Sequence, residues 1–165
     1  MIGLISDTHG LLREEALRAL QGSDLIIHAG DVGGPEILAK LKALAPLVVV
    51  RGNIDNDAWA SALPATAVAE VGSVTIYVLH NLQELDLDPA AAGFQAVISG
   101  HSHKPVRKEK AGVLYINPGS AGPRRFSLPT TVARLDVGKK PWTVEFVDVG
   151  GASSAEPRIE SPTGR

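Results

Sequence analysis

No cysteine occurs in the 165 residues, which removes a disulfide framework, a thiolate zinc site and a cysteine nucleophile at once. Any metal must then be held by oxygen and imidazole nitrogen. Positive charge is not in excess either: 16 Lys and Arg stand against 18 Asp and Glu, for a formal net charge of -2. That excludes a globally basic binder drawing its affinity from counterion release, so stable nucleic-acid binding is not expected and only a local basic patch stays open. No segment reaches the roughly 18 apolar residues of a membrane span. The opening MIGLISDTHG lacks both a basic leading region and a long apolar one. No membrane partner is expected, and the cytoplasm is the default location. There is no internal repeat, and the first apolar run leads into DTHG instead of a GxGxxG turn, which argues against dinucleotide binding.

What is present reads as a single globular domain. Hydrophobic residues make up 44% and charged residues 21%, the balance of a soluble fold long enough to bury a core without staples. The domain is expected over residues 1–149. The remainder, GGASSAEPRIESPTGR at 150–165, has the Gly, Ser and Pro content of a flexible tail. Through the first part of the domain, β-branched runs alternate with helix-like stretches: IGLIS, LLREEALRAL, LIIHAG, PEILAKLKALA and LVVV. This is a βαβαβ opening. In the second helical stretch Ile37, Leu38, Leu41, Leu44 and Ala45 form one apolar stripe behind Pro35, a residue suited to a first helical turn. From about Ala65 the pattern is of strands, TAVAEV, VTIYVLH, AVISG, PVRKE, VLYIN, TTVARLDV and WTVEFVDV. Mixed or paired sheets follow.

The chemistry lies at the ends of the apolar runs, where open α/β sheets place their ligands. LIS is followed by Asp7 and His9, LIIHAG by Asp31, LVVVRG by Asn53, TIYVL by His80, and AVISG by His101 and His103. Turn formation and helix capping account for an Asp or Asn at one such position. They do not account for four of the chain's five histidines gathering there, because histidine is neither a common turn former nor a preferred cap.

Taken in order, ISDTHG, HAGD, RGNID, the strand-ending LH, SGHSH and NPGS resemble the calcineurin-like metallophosphoesterases, and within them the small single-domain YfcE-like phosphodiesterases. The resemblance runs from residue 1 to about residue 149. It implies an α/β fold, α+β in some schemes: a four-layer α/β/β/α sandwich in which two mixed β-sheets pack together between flanking helices. It also implies two divalent metal ions, Mn²⁺ before Fe, Zn²⁺ or Ni²⁺. Carried over by position, Asp7, His9 and His103 would hold the first ion and Asn53, His80 and His101 the second, with Asp31 bridging. Two metals about 4 Å apart can share a hydroxide and aim it in line at phosphorus, so the implied function is metal-dependent phosphodiester hydrolysis.

Three departures from the superfamily pattern bear on mechanism. Ile54 and Asp55 follow Asn53 where many members place a histidine taken as general acid, so protonation of the leaving group has no residue assigned to it and activated diesters are favoured. GDVGG lacks the carboxylate of the longer GDxxD form, which could otherwise orient a ligand. Asn81 replaces a glycine after His80, at a position where asparagine tolerates a positive φ. Beyond the ligands, strand alternation sends His28 to the face opposite Asp31, as a packed or supporting residue. Asp55 either supports the ligands or caps DNDAWASAL. In NPGSAGPRR, Gly119 and Ser120 are expected near phosphate, and Arg124 or Arg125 could clamp it, although a solvated basic turn explains each arginine singly. The expected partner is a small phosphate ester, with homo-oligomerisation open. The rival readings are a phosphomonoesterase on the same site and a protein-binding scaffold, the role of the retromer subunit that shares the fold.

Overall fold

The computed structural model describes residues 1–150; the tail expected from residue 150 onward lies otherwise outside the described residues. Every strand expected from the sequence is formed. The order is β1 (Ile2–Ile5), α1 (Glu14–Leu20), β2 (Leu25–His28), α2 (Pro35–Lys42), β3 (Leu47–Val49), β4 (Thr66–Val71), β5 (Val74–Leu79), β6 (Ala96–Ile98), β7 (Pro105–Lys110), β8 (Val113–Pro118), β9 (Thr131–Asp136) and β10 (Thr143–Asp148). Short 3₁₀ turns occupy Ala58–Ala60 and Leu82–Glu84.

Two five-stranded mixed sheets result, in the orders β10-β9-β1-β2-β3 and β4-β5-β6-β8-β7. In the first, β1, β2 and β3 run parallel, β9 is antiparallel to β1 and β10 antiparallel to β9; in the second, β5, β6 and β8 run parallel with β4 and β7 antiparallel at the edges. The near-continuous apolar character of β1 and β2 now has its reason, since strands covered on both faces need no alternation. Leu4 and Ile27 turn inward and meet Ile76, Val78, Ile98 and Ile116 of the second sheet. Ile5 and Ile26 turn outward, where Ala16 and Leu20 of α1 and Ile37, Leu38 and Leu41 of α2 cover them. Pro35 stands in the first turn of α2, as its fixed φ favours.

The outer layer over the second sheet is made differently. Tyr77, Leu79, Val97 and Val113 are covered by Leu85, Leu87 and Phe94. These come from a segment whose only regular piece is the Leu82–Glu84 turn. Asp88 accepts from the backbone N–H of Ala90 and Ala91, the bonding of an N-cap, but the turn that follows ends at Gly93 and no α-helix forms in the stretch LQELDLDPAAAG. No described helix is long and apolar enough to cross a membrane.

Candidate metal centre

The loops after β1, β2, β3, β5 and β6 meet at one end of the sandwich and bring together the seven residues singled out by sequence. Their backbone is unusual. Asp7, His9, Asp31, His101 and His103 all have left-handed φ, between 47° and 69°, and they are five of the seven described non-glycine residues that do. Asp and His are among the few residue types that tolerate this region.

Two groups of ligand atoms form, Asp7 with His9 and His103, and Asp7 with Asp31 and His80, the atoms of each group lying within 4.8 Å of one another. Asp7 Oδ1 is 3.7 Å from His9 Nε2, 3.9 Å from His80 Nε2 and 3.2 Å from His103 Nε2. Asp31 Oδ2 is 3.6 Å from His9 Nε2 and 3.3 Å from His80 Nε2, so it faces one imidazole of each expected set. Asn53 Oδ1 is 3.0 Å from His80 Nε2 and 3.2 Å from His101 Nδ1.

Each of three ligands is anchored through one atom and offers another. Asp7 Oδ2 accepts from the Ser6 hydroxyl at 2.6 Å and the His101 N–H at 3.1 Å, which turns Oδ1 into the centre. Asp31 Oδ1 accepts from the Ile54 N–H at 3.1 Å and leaves Oδ2 facing the imidazoles. His80 donates its Nδ1–H to the Ala29 carbonyl at 2.7 Å, so in the neutral ring Nε2 presents a lone pair. That lone pair, Asp31 Oδ2 and Asn53 Oδ1 are all acceptors converging on one space, an arrangement that calls for a cation. Asp7 Oδ1 and His9 Nε2 are buried without any hydrogen-bond partner. The donor set of carboxylate, amide oxygen and imidazole suits divalent transition metals. These residues fit a metal.

The electrostatics agree. Burial by itself would raise the Asp7 pKa, but the imidazoles of His103 and His9 beside it, the Ser6 hydroxyl bonded to it and the nearby His80 outweigh burial and hold the carboxyl below its usual range. For Asp31 burial again opposes ionisation, while His80 and the Ile54 amide prevail and lower it. Burial pulls His80 down, yet Asp31 and Asp7 bring its pKa above the ordinary value. Both carboxylates are therefore ionised at neutral pH, ready to bind a cation.

Comparison with known proteins places this geometry. Residues 1–140 match the calcineurin-like phosphoesterase superfamily domain. The chain belongs to that superfamily. A probable metallophosphoesterase of Methanothermobacter thermautotrophicus is 33% identical over 149 residues, covering 82% of this chain and 86% of the relative. A phosphodiesterase of Methanocaldococcus jannaschii is 26% identical over 159 residues, covering 86% and 95%. The fold is also that of the phosphoesterase YfcE from E. coli, with a TM-score of 0.64 at 20% identity, over 90% of this chain and 98% of that one. The superfamily is metal-dependent, in keeping with the ligand groups found here.

The other residues picked out in this metallophosphoesterase fall around the centre in different roles. His28 is fully buried and outside both ligand groups; its Nδ1 accepts from the Gly30 N–H at 3.1 Å and its Nε2 meets Thr8 Oγ1 at 3.0 Å. Asp55 caps no helix. Its carboxylate accepts from the backbone N–H of Val32, Gly33 and Gly52 and so ties the loop after β2 to the loop after β3. Asn81 adopts a φ of -108°, so the glycine departure imposes no left-handed conformation, and its side chain accepts from the Gln83 N–H. Ser120, whose loop was expected to turn backbone amides toward phosphate, has a buried hydroxyl that donates to the Asp7 carbonyl at 3.1 Å and braces the first ligand loop. Arg124 and Arg125 are exposed on the same loop.

Sequence reasoning missed Ser6, Asn117 and the Ala29 carbonyl. Asn117 donates to Gly100 O at 2.8 Å and Ser102 Oγ at 3.0 Å, and accepts from the Gly119 N–H at 2.9 Å, which fixes the SGHSH loop. Its place in NPGS was the available signal. No side-chain pattern could report the Ala29 carbonyl.

Proposed function

We propose that this metallophosphoesterase hydrolyses phosphodiesters, using two divalent ions of which Mn²⁺ is the first choice. The observation that carries the reading is the convergence of unpartnered ligand atoms, Asp7 Oδ1 and His9 Nε2 among them, on a space that Asp31 Oδ2 faces together with one imidazole from each set. Asp7, His9 and His103 would hold one ion, Asn53, His80 and His101 the other, with Asp31 between. When bound, two divalent ions carry more charge than two carboxylates neutralise, polarise phosphoryl oxygens and make water acidic enough to attack phosphorus at neutral pH.

The protein's own contribution is placement. Ser6 and the His101 amide orient Asp7, the Ile54 amide orients Asp31, and the Ala29 carbonyl fixes the His80 ring. Preference for diesters with good leaving groups rests on the missing acid: Ile54 occupies the position after Asn53, and the Asp55 carboxylate is engaged by three backbone amides. Nothing there protonates a poor leaving group. The relative named a phosphodiesterase supports the same choice.

The test is hydrolysis of bis(p-nitrophenyl) phosphate by metal-stripped protein as Mn²⁺, Zn²⁺, Ni²⁺ or Fe²⁺ is titrated back, with p-nitrophenyl phosphate run beside it. Saturable metal-dependent release, faster from the diester, and its loss in Asp31→Asn are expected. A faster monoester would overturn the diester assignment, and no turnover with any of the four metals would overturn the enzymatic one.

A further inference from the structure

Beside the metal centre lies a hollow of about 260 Å³ that the ligand set does not use. His101 and Gly100 form its inner edge, and Leu82, Val106, Tyr115 and Ile116 supply its apolar surface. Leu82 is 40% and Val106 42% exposed, and neither packs into any of the three hydrophobic clusters. The polar groups at the floor are already engaged, Asn117 binding Gly100 O, Ser102 Oγ and the Gly119 N–H. No Lys, Arg, Asp or Glu lines the hollow. A larger hollow of about 500 Å³, lined by Arg107, Glu109, Lys140 and Trp142, contains none of the ligand residues.

We propose that the hollow beside His101 is the subsite for the ester arm retained on the product, and that it selects phosphodiesters whose retained arm is a planar, uncharged aryl-like group. This rests on the phosphodiesterase reading and deepens it. A diester differs from a monoester by the arm that stays on phosphorus, so contact with that arm is what produces diester selectivity. The hollow is smaller than the roughly 300–1,000 Å³ that takes a whole drug-sized ligand, which suits one arm of a substrate whose phosphate sits elsewhere. Its continuity with His101 puts that arm next to the ligand that would face the phosphate. Its lack of charge favours a neutral group, and its two half-exposed aliphatic side chains offer apolar area that a ring would remove from water.

The experiment compares bis(p-nitrophenyl) phosphate with methyl p-nitrophenyl phosphate, which share a leaving group and differ in the retained arm. Wild-type enzyme is expected to favour the bis-aryl ester, and Leu82→Ser/Val106→Ser to reduce that preference on the order of ten-fold through KM, with turnover of the methyl ester unchanged. Val106→Thr, which keeps the side-chain shape, gives a smaller shift in the same direction should the double variant fold poorly. An equal loss on both esters would assign the hollow to the leaving arm and overturn the proposal, as would an unchanged preference. A second readout needs no turnover: in Zn²⁺-loaded protein the Leu82 and Val106 methyl resonances should move on adding diphenyl phosphate and stay still with dimethyl phosphate. Turnover of neither ester by the wild type would sink the phosphodiesterase reading alone, because the methyl shifts report the subsite independently; shifts absent with both phosphates would sink the subsite.

Discussion

His28 makes the stability of the metal-free protein depend on pH in a way that can be worked out beforehand. The ring is held as the neutral Nε2–H form, since Nδ1 accepts from Gly30 and Nε2 donates to Thr8 Oγ1, whose own proton goes to the Val32 carbonyl at 2.7 Å. Burial pushes its pKa from 6.5 down to about 4, against the pull of Asp7 and Asp55. Between those values the unfolded chain binds a proton that the folded chain does not, so the folded state loses stability as pH falls through the window. The whole displacement corresponds to about 3 kcal/mol, of which about 1 kcal/mol is lost by about pH 5.5. His28→Gln retains a donor toward Thr8 but leaves the buried Gly30 N–H unpaired, at a cost of about 1–3 kcal/mol at neutral pH, and does not titrate. Urea unfolding of both proteins at about pH 7.5, 5.5 and 4.5 reads the difference directly. Asp7, Asp31 and His80 titrate in both and largely cancel. The stability gap between wild type and variant should narrow by about 1 kcal/mol at the middle pH and by about 2.5 kcal/mol at the lowest. A gap that stays constant would refute a buried, neutral His28.

Gly100→Ala should lower kcat/KM on the order of 100-fold with the fold retained by circular dichroism, because the added carbon would sit 2.6 Å from Asp7 Oδ2 and against Ser6 Oγ. Gly112→Ala is the control, having open space and only the cost of a positive φ, about 1 kcal/mol, with activity unchanged. Asn117→Ala should weaken metal binding by about 10- to 100-fold in calorimetry, as loss of support behind ligands commonly does; affinity equal to wild type would remove Asn117 from that role. Metal-stripped protein should gain about 3 kcal/mol in thermal unfolding when metal exceeds its Kd a hundredfold, and Asp7→Asn should abolish most of that gain.

The strands were legible because apolar runs of strand length were bounded by turn residues, and the ligands because each run ended in a residue that turns or caps alone do not explain. The supporting bonds were not legible, since they join residues far apart in sequence or use backbone atoms. The N–H of His101 holds Asp7 across 94 positions, and the carbonyl of Ala29 orients His80 across 51. Ser120 shows the converse limit. NPGS marks a loop beside the site, but only the packing reveals that the Ser120 hydroxyl faces the Asp7 carbonyl. The outer layer over the second sheet was not legible for a related reason, because Leu85, Leu87 and Phe94 cover that sheet from a segment without regular periodicity.

His28 is buried outside both ligand groups, but strand alternation is not what separates it from Asp31. β2 ends at His28, and the chain then passes through left-handed conformations at Gly30, φ 98°, and Asp31, φ 55°, so alternation does not extend to the ligand. The side chain of Asp31 is aimed by those turns, and the same holds for Asp7, His9, His101 and His103. Such conformations cost roughly 1–2 kcal/mol for most residues, less for Asp, Asn and His, whose short polar side chains bond locally. The two demands on these positions therefore select one set of residue types: a ligand atom close to the backbone, and tolerance of positive φ. Glutamate satisfies the chemistry but not the backbone, and it occupies none of these five left-handed positions. That is why five of the seven candidate positions were readable as Asp and His just after a strand: there the turn that aims the side chain and the ligand atom it carries impose the same constraint on the sequence.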